Sequence, residues 1–279
     1  MPDSEKKEMS FLDHLEELRK RLFWGAIPVV FFTIIAFIYM DKIFKNIILA
    51  PAKPEFWTYK MLCKIGHWMD TYIEVGDMIC VEKIDFILQS RTLTGQFTMY
   101  MTAGFVCGLI MAFPFLFWQI WRFIEPALNP KEKNNARGGI FFVCVLFFSG
   151  ILFGYYIVSP LSINFLANFH LDESITNQFD ITSYISILLM MVLGSGLIFQ
   201  LPVVIYILSK IGIVTPGFMR KYRRHAVVVI LIVAAVLTPS PDILSQLLVG
   251  TPMIILYELS IFISAAVDRQ RRIKLTQTT

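Results

Sequence analysis

Long apolar runs alternate with short polar segments along most of this chain. Five of these runs have 19 residues or more, and together they contain one charged side chain, Glu258. About 20 apolar residues in a helix span the ~30 Å hydrocarbon core of a bilayer. The runs are Leu22–Met40, Phe97–Trp121, Gly138–Ser159, Tyr184–Ser209 and Ile243–Val267. Each predicts a transmembrane helix, and the first is too long for the ~7–15-residue apolar core of a cleavable signal.

A sixth run, Ala226–Leu237, has 12 residues, which is about 18 Å of helix. That length fits either a re-entrant segment or a short crossing of a thinned bilayer. Basic clusters before this run and after the last run favour a crossing. We therefore predict an all-α membrane protein with six transmembrane helices, of which the one at 226–237 is short. Prolines in the other five spans predict kinks and a concave, cupped wall of helices.

The distribution of basic residues sets the predicted orientation. The segments 1–21, 122–137, 210–225 and 268–279 carry 5, 4, 5 and 4 Lys or Arg, whereas the loops after the third and fifth spans carry none. The positive-inside rule therefore places both termini in the cytoplasm. The helix at 1–21 and the tail at 268–279 are then cytoplasmic, and 41–96 is a long periplasmic loop of a single membrane domain.

Composition agrees with this picture and narrows the function. Hydrophobic residues make up 56% of the 279 positions and charged residues 16%, against ~25% charged in soluble domains. The net charge of +4 gives no indication of nucleic-acid binding. The chain has no G-x-S-x-G, H-E-x-x-H or P-loop motif. We therefore expect no catalytic residue, no metal and no cofactor.

Two carboxylates near predicted cytoplasmic helix starts have competing interpretations. Glu17 lies four residues before Arg21, the spacing of a weak surface ion pair on a helix. Such a pair leaves the carboxylate available to a stronger partner. Glu132 follows Asn129 and Pro130, so a capping box is the alternative to a binding role.

Other polar residues and glycines allow similar alternatives. Gln200 and Glu258 lie inside spans, where an interhelical hydrogen bond and a paired structural acid are the simplest interpretations. Gly104-x-x-x-Gly108 and Gly150-x-x-x-Gly154 favour packing between spans over a dimer interface. In the first outer loop, residues 86–88 with Leu93 predict an amphipathic helix that leads into the second span.

The cysteines of the first outer loop predict a disulfide. Cys63 and Cys80 lie 17 residues apart on the predicted oxidising side. A zinc site is the alternative, but Cys63, His67 and Cys80 supply three ligands instead of four. Cys107 and Cys144 lie inside spans, and we interpret them as small buried hydrophobic residues.

Several longer motifs together resemble the TatC family, the multi-span core subunit of the twin-arginine protein translocase. They are H-L-E-E-L-R-K-R-L at 14–22, W-Q-I-W-R-F-I-E-P-A-L-N-P-K-E at 118–132, R-R-H-A at 223–226, L-T-P-S-P-D-I-L-S-Q at 237–246 and P-M-I-I-L-Y-E at 252–258. The motifs occur in family order over nearly the whole chain, on a six-span plan.

The resemblance implies roles for individual residues. Glu17, Phe123 and Glu132 match the recognition site for the twin-arginine motif of signal peptides. The other matched positions are Leu18, Arg19 and Arg21 in the N-terminal motif, Pro51 in the periplasmic cap, and Asp242 and Gln246 in the turn between the last spans. Single-span subunits of the TatA and TatB type are implied to dock at the outer ends of the last two spans, and we assign Gln200 and Glu258 to that partner surface.

The implied function is a receptor in the bacterial inner membrane that self-associates and exports folded proteins by the proton-motive force. The sequence departs from the family at Gln200, where Glu is frequent, at Glu125, where a small residue is usual, and in its longer first outer loop. The alternative function is a proton-coupled transporter of small solutes. Transporters usually show internal repeats and polar sites at the membrane midplane, and we find no convincing repeat and a midplane that is nearly free of charge.

Overall fold

The computed structural model describes residues 11–69, 86–124, 136–170, 172, 177–238 and 243–276. Within these ranges the structure is helical apart from one pair of short strands and the connecting turns. The helices are α1 (Phe11–Ile38), α2 (Met40–Ile43), α3 (Trp57–Met69), α4 (Gly95–Ile124), α5 (Ala136–Phe153), α6 (Ser159–Asn168), α7 (Ile181–Ile198), α8 (Leu201–Ile211), α9 (Pro216–Lys221), α10 (Arg223–Leu237) and α11 (Ile243–Thr276). The strands are β1 (Ile87–Gln89) and β2 (Gln178–Asp180).

Five helical segments are long and apolar enough to cross a membrane. They are Arg19–Ile38, Gly95–Arg122, Gly139–Asn168, Ile181–Ile211 and Gln246–Arg269. Each overlaps one of the five long runs predicted from the sequence. The short span predicted at 226–237 lies in α10, whose 15 residues correspond to about 22 Å. The crossing of α10 and the cytoplasmic location of both termini stay predictions.

Prolines mark two interruptions of the long helical segments. Pro160 lies in the first turn of α6, directly after the π-helical turn Gly154–Val158. Proline lacks the N–H that would bond the Tyr156 carbonyl four residues earlier, and the Thr58 hydroxyl donates to that carbonyl instead. Pro202 lies in the first turn of α8, just after the break between α7 and α8.

The chain forms two compact units, residues 1–40 with 100–144 and residues 41–99 with 145–279. In the first unit α1 and α4 pack antiparallel through glycines. A Cβ atom on Gly108 would collide with Thr33, and one on Gly104 would collide with the Phe37 ring. Packing within the chain therefore explains this small-residue motif.

The second unit has a core of buried aliphatic and Met side chains. The core residues are Val158, Met191, Ile230, Ala234, Leu237, Val249 and Met253. A Cβ atom on Gly150 would lie 2.7 Å from the Ser195 carbonyl oxygen, and one on Gly154 would lie 2.9 Å from that of Met191. These two glycines therefore let the third predicted span pack closely against α7.

The predicted amphipathic helix at residues 86–88 is wrong, because Ile87–Gln89 forms β1 and pairs in parallel with β2. The Phe86 ring packs edge-on against Phe179, with the ring centroids 5.2 Å apart. Leu93, the predicted continuation of the apolar face, is fully exposed. The strand depends on backbone partners 91 residues away, which local periodicity does not reveal.

Candidate functional site

The first candidate residue, Glu17, is held in an ion pair on α1. Arg21 Nη2 donates to Glu17 Oε1 at 3.1 Å. The side chains of Arg21 and Glu17 are 29% and 22% exposed. The spacing predicted this contact, and a pair of this kind contributes about 0.3–0.5 kcal/mol. The carboxylate is therefore accessible and already placed to bind a guanidinium.

The antiparallel packing of α1 and α4 places this ion pair level with the last turn of α4. Gly25 lies one turn after Arg21 and faces α4. A Cβ atom built on Gly25 would lie 3.3 Å from Leu116 Cδ2 and 4.0 Å from Gln119 Cγ. Arg21 lies one turn before Gly25 on α1, and Phe123 lies one turn after Gln119 on α4. Because the two helices are antiparallel, these two residues lie at the same level. The structure thus brings Glu17, Arg21 and Phe123 to one end of the helix pair.

The remaining recognition residues divide into described and undescribed positions. Leu18 and Arg19 lie on α1, and the Arg19 side chain is exposed. Glu132 lies outside the described residues, as does the additional acid Glu125. The predicted proximity of Glu132 to Glu17 therefore stays a prediction.

Arg21 and Gln119 each carry a buried polar atom near this end of the α1–α4 pair. Among the described residues, Arg21 Nε and Gln119 Oε1 have no hydrogen-bond partner. One is a donor on α1 and the other an acceptor on α4, and buried polar groups without partners are few in native proteins. Sequence analysis did not select Gln119, although a lone amide in a span without charges was a usable signal.

A basic side chain also lies at this end of α4. The Arg122 guanidinium carbon stands 5.2 Å from the centroid of the exposed Trp118 ring. This geometry is a cation–π contact, worth about 0.5–1 kcal/mol at an exposed site. It shows that an aromatic ring here accepts a guanidinium face.

Gln200 occupies the break between α7 and α8. Its backbone carbonyl accepts hydrogen bonds from the amides of Val203 and Val204, at 3.0 and 3.1 Å. The residue caps α8 as the chain changes direction, so the predicted interruption of this span is confirmed. Its side chain is half-buried, and the predicted bond from Gln200 to Glu258 or to a partner span stays a prediction.

Glu258 and Gln246 both link α11 to α10. Arg223 Nη2 donates to Glu258 Oε2 at 2.7 Å, between side chains that are 52% and 33% exposed. The Gln246 amide donates to the Leu231 carbonyl at 2.9 Å. The interpretation of Glu258 as a paired structural acid agrees with this contact, whereas Asp242 lies outside the described residues.

Pro51 lies at the centre of a buried hydrogen-bond cluster in the segment after α2. The Tyr59 hydroxyl lies 3.0 Å from the Pro51 carbonyl oxygen and 2.9 Å from that of Pro160. Tyr155 and Tyr184 donate to the carbonyls of residues 47 and 48 at 2.9 and 2.8 Å. Residues 47 and 48 end the π-helical turn Phe44–Ile48, and carbonyls in the last turn of a helix are open to side-chain donors. Burial raises the pKa of the Tyr59 phenol, which keeps it a neutral donor.

The cysteines separate into bonded and free ones. Cys63 on α3 is disulfide-bonded, with its Sγ atom 3.6 Å from His67 Nε2. Cys107 and Cys144 are free, and Cys80 lies outside the described residues. In the part of the chain that the structure describes, no group of three or more His, Cys, Asp or Glu side chains could hold a metal ion.

Comparison with known proteins identifies the family. The family model described as Sec-independent protein translocase protein (TatC) matches residues 13–252. The protein of that name from Blattabacterium sp. subsp. Periplaneta americana is 37% identical over 268 residues, which cover 96% of this chain and 99% of the relative. TatCy of Bacillus subtilis is 33% identical over 263 residues, covering 94% and 91%.

Comparison with solved structures indicates the same family. A crystal structure of the twin-arginine translocase receptor TatC in DDM superposes with a TM-score of 0.67 at 28% identity, covering 90% of this chain and 99% of that chain. A second TatC crystal structure gives 0.63 at 28% identity. The chain is thus a multi-pass inner-membrane component of a protein translocase and not an enzyme. This protein belongs to the TatC family of Sec-independent protein translocase proteins.

Proposed function

We propose that this chain is the receptor subunit that binds twin-arginine signal peptides of folded precursors, through Glu17, Phe123 and Glu132. The observation that carries the proposal is the Glu17–Arg21 ion pair at the end of the α1–α4 pair. A carboxylate that holds one guanidinium can exchange it for another. The proposal includes export driven by the proton-motive force, as the family resemblance implies.

The exchange is energetically reasonable. The intrahelical pair contributes about 0.3–0.5 kcal/mol, whereas a hydrogen bond to a charged group contributes about 1.5–3 kcal/mol. A guanidinium fork can contact both oxygens of one carboxylate. An incoming arginine that is partly withdrawn from water would therefore displace Arg21. The second signal arginine requires a second acid, the role that we assign to Glu132.

Gln119 and Arg21 extend the proposed site along the helix seam. Their buried atoms Oε1 and Nε are an acceptor and a donor without partners among the described residues. An extended signal peptide presents backbone N–H and C=O groups of the complementary kinds. Both atoms are buried in the free protein, so the peptide backbone would reach them only after the incoming arginine displaces Arg21 from Glu17.

Crosslinking of a precursor to the chain tests the proposal. A photoreactive amino acid at Phe123 or Glu132 is expected to crosslink to a twin-arginine precursor and to lose that product when the signal carries two lysines. Lysine lacks the planar fork that makes the bidentate contact. A matched probe at exposed Trp57 on α3 is the control. Equal crosslinking with twin-lysine signals would contradict the proposal.

We also propose that α10 and α11 dock the single membrane helix of TatA- and TatB-type subunits. One face of α10 exposes branched aliphatic side chains, namely Val228, Val229, Ile232, Val233 and Val236. The Gln246–Leu231 bond fixes this helix to α11, so the face is presented on a rigid support. Close packing drives helix association in lipid, and a flat β-branched face suits it.

Disulfide crosslinking tests this docking. Cysteine at Ile232 should crosslink to a cysteine in the partner's transmembrane helix. Cysteine at Ile34, which is similarly exposed on α1 (55% against 58% for Ile232), serves as the control. Equal crosslinking from both positions would indicate random collision and contradict a defined α10 surface.

A further inference from the structure

The connector between α8 and α10, residues 210–225, is strongly basic. It contains five basic residues and no acid, namely Lys210, Arg220, Lys221, Arg223 and Arg224. Arg220, Lys221 and Arg224 are exposed. Among the described residues no carboxylate pairs with these three, whereas Arg223 is neutralised by Glu258. Within the described residues, these three neighbouring cations therefore have no acidic partner.

The same connector exposes apolar and aromatic side chains beside the cations. Ile213 and Phe218 are 67% and 55% exposed. The Phe218 and Tyr222 ring centroids lie 4.6 Å apart, and Lys221 Nζ lies 5.9 Å from the Tyr222 ring. Mixed aromatic, aliphatic and basic side chains are typical of segments in the interfacial layer of a membrane.

The position and rigidity of the connector agree with that layer. The span Ile181–Ile211 ends at its first residues. Gly212, with φ of 91°, ends α8 in the left-handed conformation that glycine adopts without strain. The Tyr257 hydroxyl donates to the carbonyl of buried Met219 at 2.9 Å and fixes α9 to α11. The cations thus project from a fixed backbone at a membrane edge.

We infer that this connector is a binding surface for anionic phospholipids of the leaflet that the charge distribution predicts to be cytoplasmic. The guanidinium groups of Arg220 and Arg224 and the ammonium group of Lys221 suit phosphate oxygens. Phe218 and Ile213 would contact the adjoining acyl chains. A polybasic segment at the membrane edge is attracted by the negative lipid surface, and this net charge matches anionic lipid but not a zwitterionic one.

Lipid binding to the full-length protein in detergent tests the inference. Native mass spectrometry would follow titration with dioleoyl phosphatidylglycerol and, separately, dioleoyl phosphatidylcholine. At about 1 kcal/mol per cation, the triple variant Arg220→Gln/Lys221→Gln/Arg224→Gln should lose about 100-fold in affinity for phosphatidylglycerol. The control Lys42→Gln/Lys45→Gln/Lys53→Gln removes the same charge from exposed positions in the first outer loop and should bind like the wild type.

Further variants keep the test decisive. If the triple variant does not fold, Arg220→Gln and Arg224→Gln alone should each weaken binding about fivefold, while Arg220→Lys/Arg224→Lys stays close to wild type. Equal affinity for both lipids, or equal losses in both triple variants, would overturn the inference. So would full competition by inorganic phosphate alone. Unchanged lipid binding with loss of a co-purifying protein would assign the surface to a protein partner instead.

Discussion

Glu17 Oε1 lies 3.1 Å from Arg21 Nη2, so the carboxylate proposed to bind an arginine of the signal peptide already binds an arginine of its own helix. The internal partner holds the acid in position without consuming much binding free energy, because an i,i+4 pair is weak. The same contact agrees with a purely structural role of Glu17 in an intrahelical ion pair. A binding measurement separates this role from recognition of a signal arginine.

Glu17→Gln should weaken binding of a twin-arginine precursor by about tenfold or more, since it removes a charge-assisted hydrogen bond worth about 1.5–3 kcal/mol. Precursor affinity measured with the purified protein checks this. Exposed Glu16 lies one position away on α1, and Glu16→Gln is the matched control. Equal losses in both variants would indicate a general charge effect and contradict a specific role for Glu17.

Glu132→Gln should stop export of a twin-arginine precursor while the protein still accumulates in the membrane. Glutamine at the third position of a helix preserves a capping box, but it cannot supply the carboxylate that a guanidinium requires. Export of a folded reporter measures the effect. Normal export by this variant would favour the capping interpretation over recognition.

Gln200→Leu should reduce co-purification of the single-span partner more than precursor binding. The amide lies half-buried at the break between α7 and α8, and leucine fills similar volume without hydrogen-bonding. Interhelical bonds in membranes contribute about 0.6 kcal/mol on average, so a loss of a few-fold is expected. Ser209→Ala, which breaks a buried bond to Ser264 within the chain, should leave co-purification unchanged. Equal effects on partner and precursor would contradict the prediction.

Tyr59→Phe should lower the free energy of unfolding by about 1–3 kcal/mol, because it leaves buried carbonyls unpaired. Thermal unfolding in detergent measures the loss. The control is Tyr100→Phe, which removes an exposed hydroxyl that lies 3.4 Å from the Phe37 carbonyl oxygen. The raised pKa of Tyr59 belongs to the folded state. The wild-type contribution is therefore complete below pH about 10 and decreases above it, whereas Tyr59→Phe should lack this decrease.

The disulfide of Cys63 is expected to join it to Cys80. Closing a loop of this length contributes about 3 kcal/mol in the chain-entropy model. Mass spectrometry of non-reduced peptides should identify the pair, and Cys63→Ser/Cys80→Ser should unfold at lower temperature than Cys107→Ser. Alkylation of both thiols in fresh membranes would show that the bond is absent.

The sequence alone predicted five long spans, proline-induced interruptions in some of them, and the contact between Glu17 and Arg21. These features depend on residues close together in the chain. Apolar length, the missing proline N–H and the i,i+4 spacing act locally, so they are visible without coordinates. The family motifs likewise identified the translocase family.

Only the tertiary structure decided the features that join distant residues. It replaced the predicted helix at 86–88 with a strand paired to residues 178–180, and it paired Glu258 with Arg223, 35 residues away. It also placed Gln119 opposite Gly25, in the seam beside Arg21. In each case the free energy comes from backbone pairing, charge pairing or close helix packing between segments far apart in sequence. Such contacts depend on how the helices assemble, which the local pattern of residues does not encode.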